Sequence, residues 1–320
     1  MKQLPFEKKE LKILVKREEP AEFGVIPEER SVKDLINYGI VNINKPKGPT
    51  SHQVSAYVQK ILHITKSGHS GTLDPAVTGC LPVALAKGTR AVEAIINAGK
   101  EYLTLMHLHD GLTKKEIKET FKKMTGKIKQ LPPIKSAIKR QWRYRKVYYI
   151  DLLEIDKQDV LFKIGCEAGT YIRKYCHDFG QISKAGGHMQ QLIRTKAGPF
   201  NEDTWVTLQE LTDAYHYYEK DGNEEPIRKC VQPIENLVKH MHKVWVSDTA
   251  VSSLLNGIDL KIPGIVKLTD QIEPDQQIAV MTMKNELLTF GVAKLTSKKI
   301  MEQEKGLAVE INKVMYYKKN

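Results

Sequence analysis

Hydrophobic and polar residues follow two different periods along this chain. Short β-rich runs predict strands over residues 40–43, 102–108, 147–155 and 160–166. Apolar residues recur at helical spacing over residues 51–62, 114–124 and 171–183, which predicts helices there. Gln158 and Asp159 form a short polar break between the last two strands, as the turn of a hairpin does. The mixture indicates an α+β fold with antiparallel hairpins.

The same pattern divides the chain into three parts. Residues 1–38 alternate charges with short apolar groups and contain three prolines, which predicts an extended arm that leans on another part of the protein. Residues 39–240 carry the strands and helices above, and residues 233–240 add one more helical pattern. Residues 241–320 contain short strands separated by turns, which favour a small β-barrel.

The charge balance favours a polyanionic partner. The chain has 50 Lys and Arg against 38 Asp and Glu, a formal charge of +12 and a pI near 9.3. Basic side chains neutralise phosphates and release counterions, so nucleic acid is the leading class of partner. The four cysteines include no Cys-x-x-Cys pair, so neither a disulfide framework nor a zinc ribbon is predicted.

Membrane insertion and export are not expected from the sequence. Residues 1–20 are too charged for a signal peptide, and no run approaches the roughly 18 apolar residues that a membrane helix needs. We therefore expect a cytoplasmic protein with no membrane partner.

The most informative local pattern is the stretch Gly68-His69-Ser70-Gly71-Thr72-Leu73-Asp74-Pro75. Glycine permits backbone conformations that other residues rarely adopt, and Pro75 fixes the turn directly after Asp74. One interpretation is a rigid loop that presents a single reactive carboxylate. The other is an ordinary turn that Asp74 only stabilises, since Asp, Gly and Pro are common in loops.

Four stretches, in this order, resemble the TruB/dyskerin family of pseudouridine synthases. They are residues 42–51 (NINKPKGPTS), 68–79 (GHSGTLDPAVTG), 100–102 (KEY) and 169–173 (GTYIR). Residues 250–265, with the segments 291–294 and 306–309, resemble a PUA domain, which is an RNA-binding module. The resemblance implies an α+β pseudouridine synthase catalytic domain built on a mixed, mainly antiparallel sheet. It also implies a small C-terminal β-barrel PUA domain, on which the arm packs.

The resemblance assigns the chemistry to one carboxylate and to no cofactor. In this family a single Asp attacks or assists cleavage of the uridine glycosidic bond, the uracil turns over, and a carbon–carbon bond forms; Asp74 matches that residue. Arg173 matches a cation that orients the carboxylate through charge-assisted hydrogen bonds. Tyr102 matches an aromatic platform for the flipped base, where stacking contributes about 1–3 kcal/mol per base.

Other positions enter the site by the same resemblance. His69 matches a residue that positions the flipped base, and Leu192 matches an apolar residue of the pocket. Lys45 in the first stretch matches a support for the Asp74 loop. Without the resemblance, His69 would be structural, Tyr102 an ordinary strand aromatic and Arg173 a surface residue on a helix.

A metal site is the less favoured interpretation of one histidine pair. His107 and His109 point the same way if they lie on one strand, and Asp110 follows them. No third ligand has a recognisable spacing. We therefore interpret the pair as a strand end and predict no metal.

The best candidate RNA contact is the basic and aromatic stretch over residues 132–146. Its basic side chains are Lys135, Lys139, Arg140, Arg143, Arg145 and Lys146. The stretch runs directly into the strand at Val147, whereas stand-alone enzymes that modify the tRNA T-loop usually have an insertion there. The resemblance is therefore closer to the compact archaeal form of the dyskerin branch, the catalytic subunit of box H/ACA ribonucleoprotein.

That branch implies several partners. Guide RNA would supply sequence choice for a substrate RNA, and small accessory proteins would bind the catalytic domain. Residues 174–176 and 252–255 depart from the expected pattern, so the helix contacts and the RNA-end pocket there are open. Two alternatives remain: a guide-independent synthase for the tRNA T-loop, and a non-catalytic RNA-binding scaffold.

Overall fold

The computed structural model describes residues 2–8, 10–132 and 140–315. Within them the chain forms sixteen strands and nine α-helices, joined by short 3-10 turns. The strands are β1 (Ile13–Val15), β2 (Gly39–Lys45), β3 (Ser67–His69), β4 (Thr78–Leu85), β5 (Lys100–His107), β6 (Gly126–Gln130), β7 (Arg143–Asp156), β8 (Asp159–Cys166), β9 (His188–Ala197), β10 (Val231–Pro233), β11 (Lys243–Val246), β12 (Leu260–Lys261), β13 (Ile265–Thr269), β14 (Gln277–Met281), β15 (Leu287–Ala293) and β16 (Leu307–Val314). The helices are α1 (Val32–Asn37), α2 (Ser51–Ile61), α3 (Glu93–Ile96), α4 (Lys114–Lys123), α5 (Ile172–Ser183), α6 (Leu208–Asp221), α7 (Glu225–Cys230), α8 (Asp248–Leu255) and α9 (Ser297–Glu302).

A nine-stranded sheet forms the larger part of the molecule. Its strand order is β10-β2-β4-β9-β5-β8-β7-β6, with β3 paired to β4 as a side branch. Only the β4–β9 pair is parallel, so the sheet is mixed and mainly antiparallel, as predicted. The four strands expected from the sequence are β2, β5, β7 and β8, and β5 pairs with β8 along its whole length.

The hairpin strands extend beyond the predicted bounds. β7 begins at Arg143 rather than residue 147 because it pairs with β6, a polar strand that the hydrophobic pattern does not reveal. The turn to β8 is Lys157-Gln158, and Lys157 has a φ of 52°. Asp159 is therefore a strand residue that pairs with Asp156, not part of the turn.

The helices predicted over residues 51–62, 114–124 and 171–183 are present, and the first two have clear start signals. Thr50 and Thr113 begin α2 and α4 with reciprocal capping boxes, which satisfy backbone N–H groups at each start. The helix expected over residues 233–240 is present only as a five-residue 3-10 helix, Ile234–Val238, which follows the end of β10 at Pro233. None of the helices in the described parts of the chain is long and apolar enough to cross a membrane.

A seven-stranded curled sheet forms the C-terminal part. Its order is β1-β13-β11-β14-β15-β16-β12, so an N-terminal strand lies at its edge. Ile13 to Val15 pair with Thr269 to Lys267, and the Lys16 ammonium donates to three carbonyls at the end of α9. The N-terminal residues are thus attached to this sheet, although they also contain the short helix α1.

The two sheets share one hydrophobic cluster. Tyr38, Phe200, Leu237, Trp245 and Phe290 all belong to it, which joins residues of the first sheet region to residues of the second. Burial of apolar surface at this junction fixes how the two parts are placed relative to each other.

Candidate active site

Asp74 lies in a loop between β3 and β4 at one end of the large sheet. Leu73 and Val77 anchor the loop in the core, while Asp74 and Pro75 are exposed. The Val77 N–H donates to the Asp74 carbonyl at 2.9 Å and closes a tight turn. The loop therefore presents its carboxylate on a backbone that is held from both sides.

The backbone of this loop is fixed by side chains of β2 and α2. Lys45 is fully buried, and its ammonium donates to the carbonyls of Pro75 at 3.3 Å and Val77 at 2.9 Å. Burial lowers the pKa of Lys45, and the nearby Asp74 carboxylate opposes that shift. The Ser51 hydroxyl donates to the Leu73 carbonyl at 3.2 Å and accepts from the Leu73 N–H at 2.9 Å.

Arg173 reaches Asp74 from the first turn of α5. The guanidinium Nη2 lies 2.6 Å from Asp74 Oδ2, across 99 residues of sequence. The two side chains are 60% and 57% exposed, and an ion pair so open to water contributes at most about 1 kcal/mol to stability. The contact therefore orients a carboxylate at the surface rather than holding the fold together.

Arg194 is a second cation beneath the same loop. It is 1% exposed, and it donates from Nε to the Cys80 carbonyl at 2.7 Å and from Nη1 to the Gly71 carbonyl at 3.2 Å. No carboxylate within the described residues lies within 4.0 Å of it. Its remaining nitrogen, Nη2, is buried without a hydrogen-bond partner in the described structure. Arg194 thus ties the start of the Asp74 loop to β4 and β9.

Tyr102 lies opposite Arg194 in the β5–β9 pairing. Burial raises the pKa of its hydroxyl to about 12, and the Arg194 guanidinium opposes that rise. Thr104, two residues along β5, is opposite Leu192 and shares this face of the sheet. Tyr102 and Leu192 both pack at the edge of one apolar cluster. Tyr102 and Leu192 are thus the partly exposed side chains of this face, and Thr104 and Arg194 are buried beside them.

His69 ends β3 just before the loop. Its ring is half-buried and meets the ring of His52 edge-on, with centroids 4.8 Å apart. Burial lowers the pKa of His69 to about 4, with smaller contributions from His52 and Arg194. At neutral pH the ring is therefore uncharged. Both of its nitrogens are buried with no hydrogen-bond partner among the described residues.

Comparisons with known proteins match nearly the whole chain. Residues 59–115 and 108–172 match the N-terminal domain of TruB family pseudouridylate synthase, and residues 173–239 match the tRNA pseudouridylate synthase B C-terminal domain. Residues 242–315 match a PUA domain and residues 2–55 a DKCLD domain. The chain belongs to the TruB family of pseudouridylate synthases.

Relatives and solved structures agree with this assignment. A probable tRNA pseudouridine synthase B of Pyrococcus horikoshii is 50% identical over 293 residues, which cover 91% of this chain and 88% of the relative. A chain of a Cbf5-Nop10-Gar1 complex is 47% identical with a TM-score of 0.92, covering 98% and 96% of the two chains. A chain of an H/ACA ribonucleoprotein bound to a substrate RNA containing 2'-deoxyuridine is 44% identical with a TM-score of 0.91 and 98% coverage of each. The predicted fold class and family resemblance are confirmed.

In this TruB family chain, the basic stretch over residues 132–146 runs into β7, where its side chains divide between two faces. Lys135 and Lys139 lie outside the described residues, and Arg140 is exposed. Arg143 and Arg145 are half-buried, with Nε atoms that are buried and lack a hydrogen-bond partner in the described structure. Lys146 is exposed on the other face of the strand.

In the folded structure a third histidine, His188, lies next to His107 and His109. His188 is paired with His107 across β5 and β9, and His109 Nε2 lies 3.1 Å from His188 Nδ1. His107 Nδ1 lies 2.7 Å from Asp159. Three of the six ring nitrogens are thus directed at one another or at Asp159. The described part of the chain contains no group of three or more ligands placed to hold a metal ion.

The sequence analysis did not assign Arg194 or Thr104 to the site. It also did not predict which backbone carbonyls Lys100 binds. Lys100 donates to the carbonyls of Ile95, Ile96 and Ala98, and burial with Arg194 nearby lowers its pKa to about 7. In the sequence, Lys100 belongs to the stretch 100–102 that carries Tyr102, and Arg194 follows Leu192 by two residues, but no pattern marks Thr104.

Proposed function

We propose that this TruB family enzyme is an RNA-guided pseudouridine synthase, the catalytic subunit of an H/ACA ribonucleoprotein that isomerises uridine in rRNA. The observation that carries the proposal is the contact of Asp74 with Arg173 beside the Tyr102 and Leu192 face. The likeness to proteins solved in a Cbf5-Nop10-Gar1 complex and in an H/ACA ribonucleoprotein with substrate RNA supports the guided form.

In the proposed reaction Asp74 is the catalytic residue. Its carboxylate acts at the uridine glycosidic bond: the N1–C1′ bond breaks, the uracil turns, and C5 bonds to C1′. The C5 hydrogen leaves as a proton and N1 takes one up, so no oxidant, reductant or cofactor is needed. Arg173 fixes the direction of the carboxylate, because its planar guanidinium is always charged.

The remaining pocket residues hold the flipped base. Removing a uridine from its stack costs a few kcal/mol, and stacking on Tyr102 offsets that cost. Leu192 supplies apolar contact, and His69 contributes a ring that is uncharged at neutral pH. His69 is therefore assigned to positioning and not to general base catalysis.

The proposed partners are a guide RNA, a substrate RNA and small accessory proteins, for which Nop10 and Gar1 in the related complex are the precedent. RNA contacts are assigned to the stretch over residues 132–146, namely Lys135, Lys139, Arg140, Arg143, Arg145 and Lys146. We assign residues 1–38 to an arm, 39–240 to the catalytic domain and 241–320 to the PUA domain. A cytoplasmic location completes the proposal.

The test compares wild type with Asp74→Ala and Asp74→Asn on a target uridine paired to an H/ACA guide. Pseudouridine formation and RNA binding are both measured, with the accessory proteins present. We expect both variants to bind RNA within about twofold of wild type and to form no product. Equal product from variant and wild type would remove Asp74 from the chemistry, and the protein would then act as a non-catalytic RNA-binding scaffold or through another residue.

A guide-independent tRNA synthase is the second candidate, because the relatives carry the name tRNA pseudouridine synthase B. It predicts turnover of a bare T-loop RNA without guide or partner protein. The guided form predicts that omitting the guide abolishes product on the rRNA-type target. Turnover of the T-loop at the guided rate would favour the second candidate.

A further inference from the structure

Strand β9 contains one extra residue directly beside Tyr102. Across the β5–β9 pair, Tyr102 lies opposite Arg194 and Glu101 lies opposite Lys196, so Thr195 is the additional residue of a β-bulge. A bulge bends its strand, increases the local twist and re-aims the neighbouring side chains. The direction in which Arg194 leaves β9, beside the Tyr102 ring, is therefore set at this bulge.

Glu101 binds the bulge from the face of the sheet opposite Tyr102. Its side chain is on that face because successive residues of a strand alternate, and it is 4% exposed. Its Oε1 accepts from the Thr195 hydroxyl at 2.8 Å, and its Oε2 accepts from the Tyr149 hydroxyl of β7. Burial, and then the hydrogen bond to Glu101, raise the pKa of Tyr149, so this hydroxyl keeps the proton that it donates.

The contact with Tyr149 crosses a strand that has a glycine at this point. Gly165 of β8 lies opposite both Glu101 and Tyr149. A Cβ on Gly165 would lie 2.3 Å from Cε1 of the Tyr149 ring, so the ring lies across this glycine to reach β5. One carboxylate thus connects β5, β7 and β9 within the four adjacent strands β9-β5-β8-β7.

N-terminal residues cover the same face. Glu7 accepts from the Lys196 ammonium at 2.7 Å, and Leu4 is fully buried. No basic side chain in the described ranges lies within 4.0 Å of the Glu101 carboxylate. Burying a carboxylate without an ionic partner lowers stability, so an apolar residue would fill this space more favourably. The presence of a carboxylate here therefore calls for a role other than packing.

We propose that Glu101 is a positioning residue, which holds the bulge so that Tyr102 and Arg194 keep the orientation needed at the flipped base. This inference rests on the proposed function for the role of Tyr102. Glu101 and Tyr102 are consecutive, as are Thr195 and Arg194, and consecutive side chains lie on opposite faces of a sheet. The hydrogen bonds on one face thus fix the strand twist that aims the two active-site side chains on the other.

The test compares two substitutions of Glu101 on a target uridine paired to an H/ACA guide, with the accessory proteins present. Glu101→Met keeps the length of the side chain and removes both hydrogen bonds. We expect its single-turnover rate at saturating RNA to fall roughly 10- to 100-fold, since a misplacement of about 1 Å costs up to about 100-fold. Its RNA affinity should stay within about threefold, because the change lies on the face away from the RNA.

Glu101→Gln is the conservative variant. Its amide offers one acceptor and one donor, so it can bond both hydroxyls and should restore the rate to within about threefold of wild type. Tyr149→Phe should cause a smaller loss than Glu101→Met, and adding it to Glu101→Met should change nothing further, because that contact is already absent. It also carries the test if Glu101→Met does not fold.

Two controls distinguish positioning from general stability. Asp159→Ala removes the partner of His107 at the other end of the β5–β8 pair. Ile117→Val removes one methylene from a fully buried residue of α4 and lowers the melting temperature. Both should keep the wild-type rate. A rate for Glu101→Met equal to that of the controls would overturn the inference.

A second readout needs no turnover. Tyr102 is replaced by 3-fluorotyrosine, and the fluorine resonance of the full chain reports the surroundings of this ring. The resonance should shift or broaden in Glu101→Met and keep its wild-type position in Glu101→Gln and Asp159→Ala. This readout decides the inference even if wild type forms no pseudouridine, a result that would remove the proposed function alone. An unchanged resonance in Glu101→Met would mean that Glu101 only stabilises the sheet, and would overturn the positioning role.

Discussion

Three buried cations surround the Asp74 loop, and each is bound to backbone carbonyls rather than to a carboxylate. Lys45 holds the loop after Asp74, Arg194 holds it at Gly71, and Lys100 caps the end of α3. Burying a charge without an ionic partner costs several kcal/mol, so these groups do not represent the most stable way to fill the space. They do fix carbonyls from several segments at once and place positive potential behind the carboxylate.

Arg194 is therefore predicted to be a positioning residue. Arg194→Met removes its hydrogen bonds to Cys80 and Gly71, and release of the buried charge offsets part of the lost stability. We expect pseudouridine formation at saturating RNA to fall about 100-fold, the cost of a misplacement of about 1 Å at a reacting group. RNA affinity should stay within about threefold. Single-turnover rates and RNA titrations measure the two effects separately.

Two variants control this prediction. Arg194→Lys keeps the charge and one carbonyl contact, so its rate should lie between those of wild type and Arg194→Met. Arg228→Met removes an arginine on α7 that pairs with Glu224, and it should leave the rate unchanged. A rate near wild type for Arg194→Met, or a general loss of folding, would rule out a positioning role.

At the scale of single residues, exposed functional side chains are easier to predict from the sequence than buried ones. Asp74 is recognisable because glycine and proline surround it, but its contact with Arg173 spans 99 residues and no spacing predicts it. That partner followed only from the family resemblance. Arg194 and Thr104 went unassigned because patterns of hydrophobicity interpret a charged or hydroxyl residue as exposed, and both are buried.

At the scale of elements, the parallel contact between β4 and β9 brings the Asp74 loop to the Tyr102 face. The contact is short, pairing Thr78 with Ile193 and Gly79 with Arg194. Gly79 has a φ of +102°, and a Cβ there would lie 2.3 Å from the Arg194 carbonyl oxygen. Only glycine allows the two strands to approach this closely.

Gly79→Ala should consequently be much more costly than a substitution at another positive φ. The control is Gly222→Ala at the end of α6, where φ is +67° and no atom lies within 4 Å of the new Cβ. Gly222→Ala should lower the free energy of unfolding only by the conformational cost of a left-handed φ, about 1–2 kcal/mol. Gly79→Ala adds a backbone clash, for which we expect about 2 kcal/mol more. Urea unfolding of both variants measures the difference, and equal losses would contradict the close contact.

Elements with a strong apolar period were predicted within a few residues, while polar or very short ones were not. α2, α4 and α5 follow from their apolar period, and α2 and α4 follow also from their caps. β6 has alternating lysines and lacks an apolar pattern, so it forms a strand only because it pairs with β7. The 3-10 turn Ile234–Val238 has the apolar residues of a helix, but tertiary packing buries Ile234, Leu237 and Val238 within a single short turn.

At the scale of the molecule, one buried network links three regions of the chain. Arg30 of the N-terminal segment binds Glu235 through both terminal nitrogens at 2.8 Å and Glu286 at 2.9 Å. Glu286 also accepts from the Val25 N–H, and Glu235 accepts from the Leu287 N–H. Desolvation raises the pKa of Glu235 despite the nearby Arg30. A single guanidinium thus joins the N-terminal segment, the large-sheet region and the C-terminal sheet region.

His240 lies at the same junction and makes it sensitive to acid. Its ring packs edge-on against Phe6 and contacts the Ala94 carbonyl at 3.2 Å. Burial lowers the pKa of His240 from 6.5 to about 4, so between these values the unfolded chain binds more protons than the folded one. Stability attributable to His240 is therefore present above pH 6.5 and is lost as the pH falls towards 4. The loss between pH 7 and pH 5 should be about 2 kcal/mol.

The measurement is the free energy of unfolding at pH 7 and pH 5 for wild type and His240→Gln. Glutamine does not titrate here, so the variant should lose about 2 kcal/mol less than wild type over this interval, whatever its stability at pH 7. His216→Gln, on the exposed side of α6, is the control and should keep the wild-type pH dependence. If His240→Gln and wild type show the same dependence, protonation of His240 does not weaken the junction, and the acid sensitivity of the molecule originates in other groups.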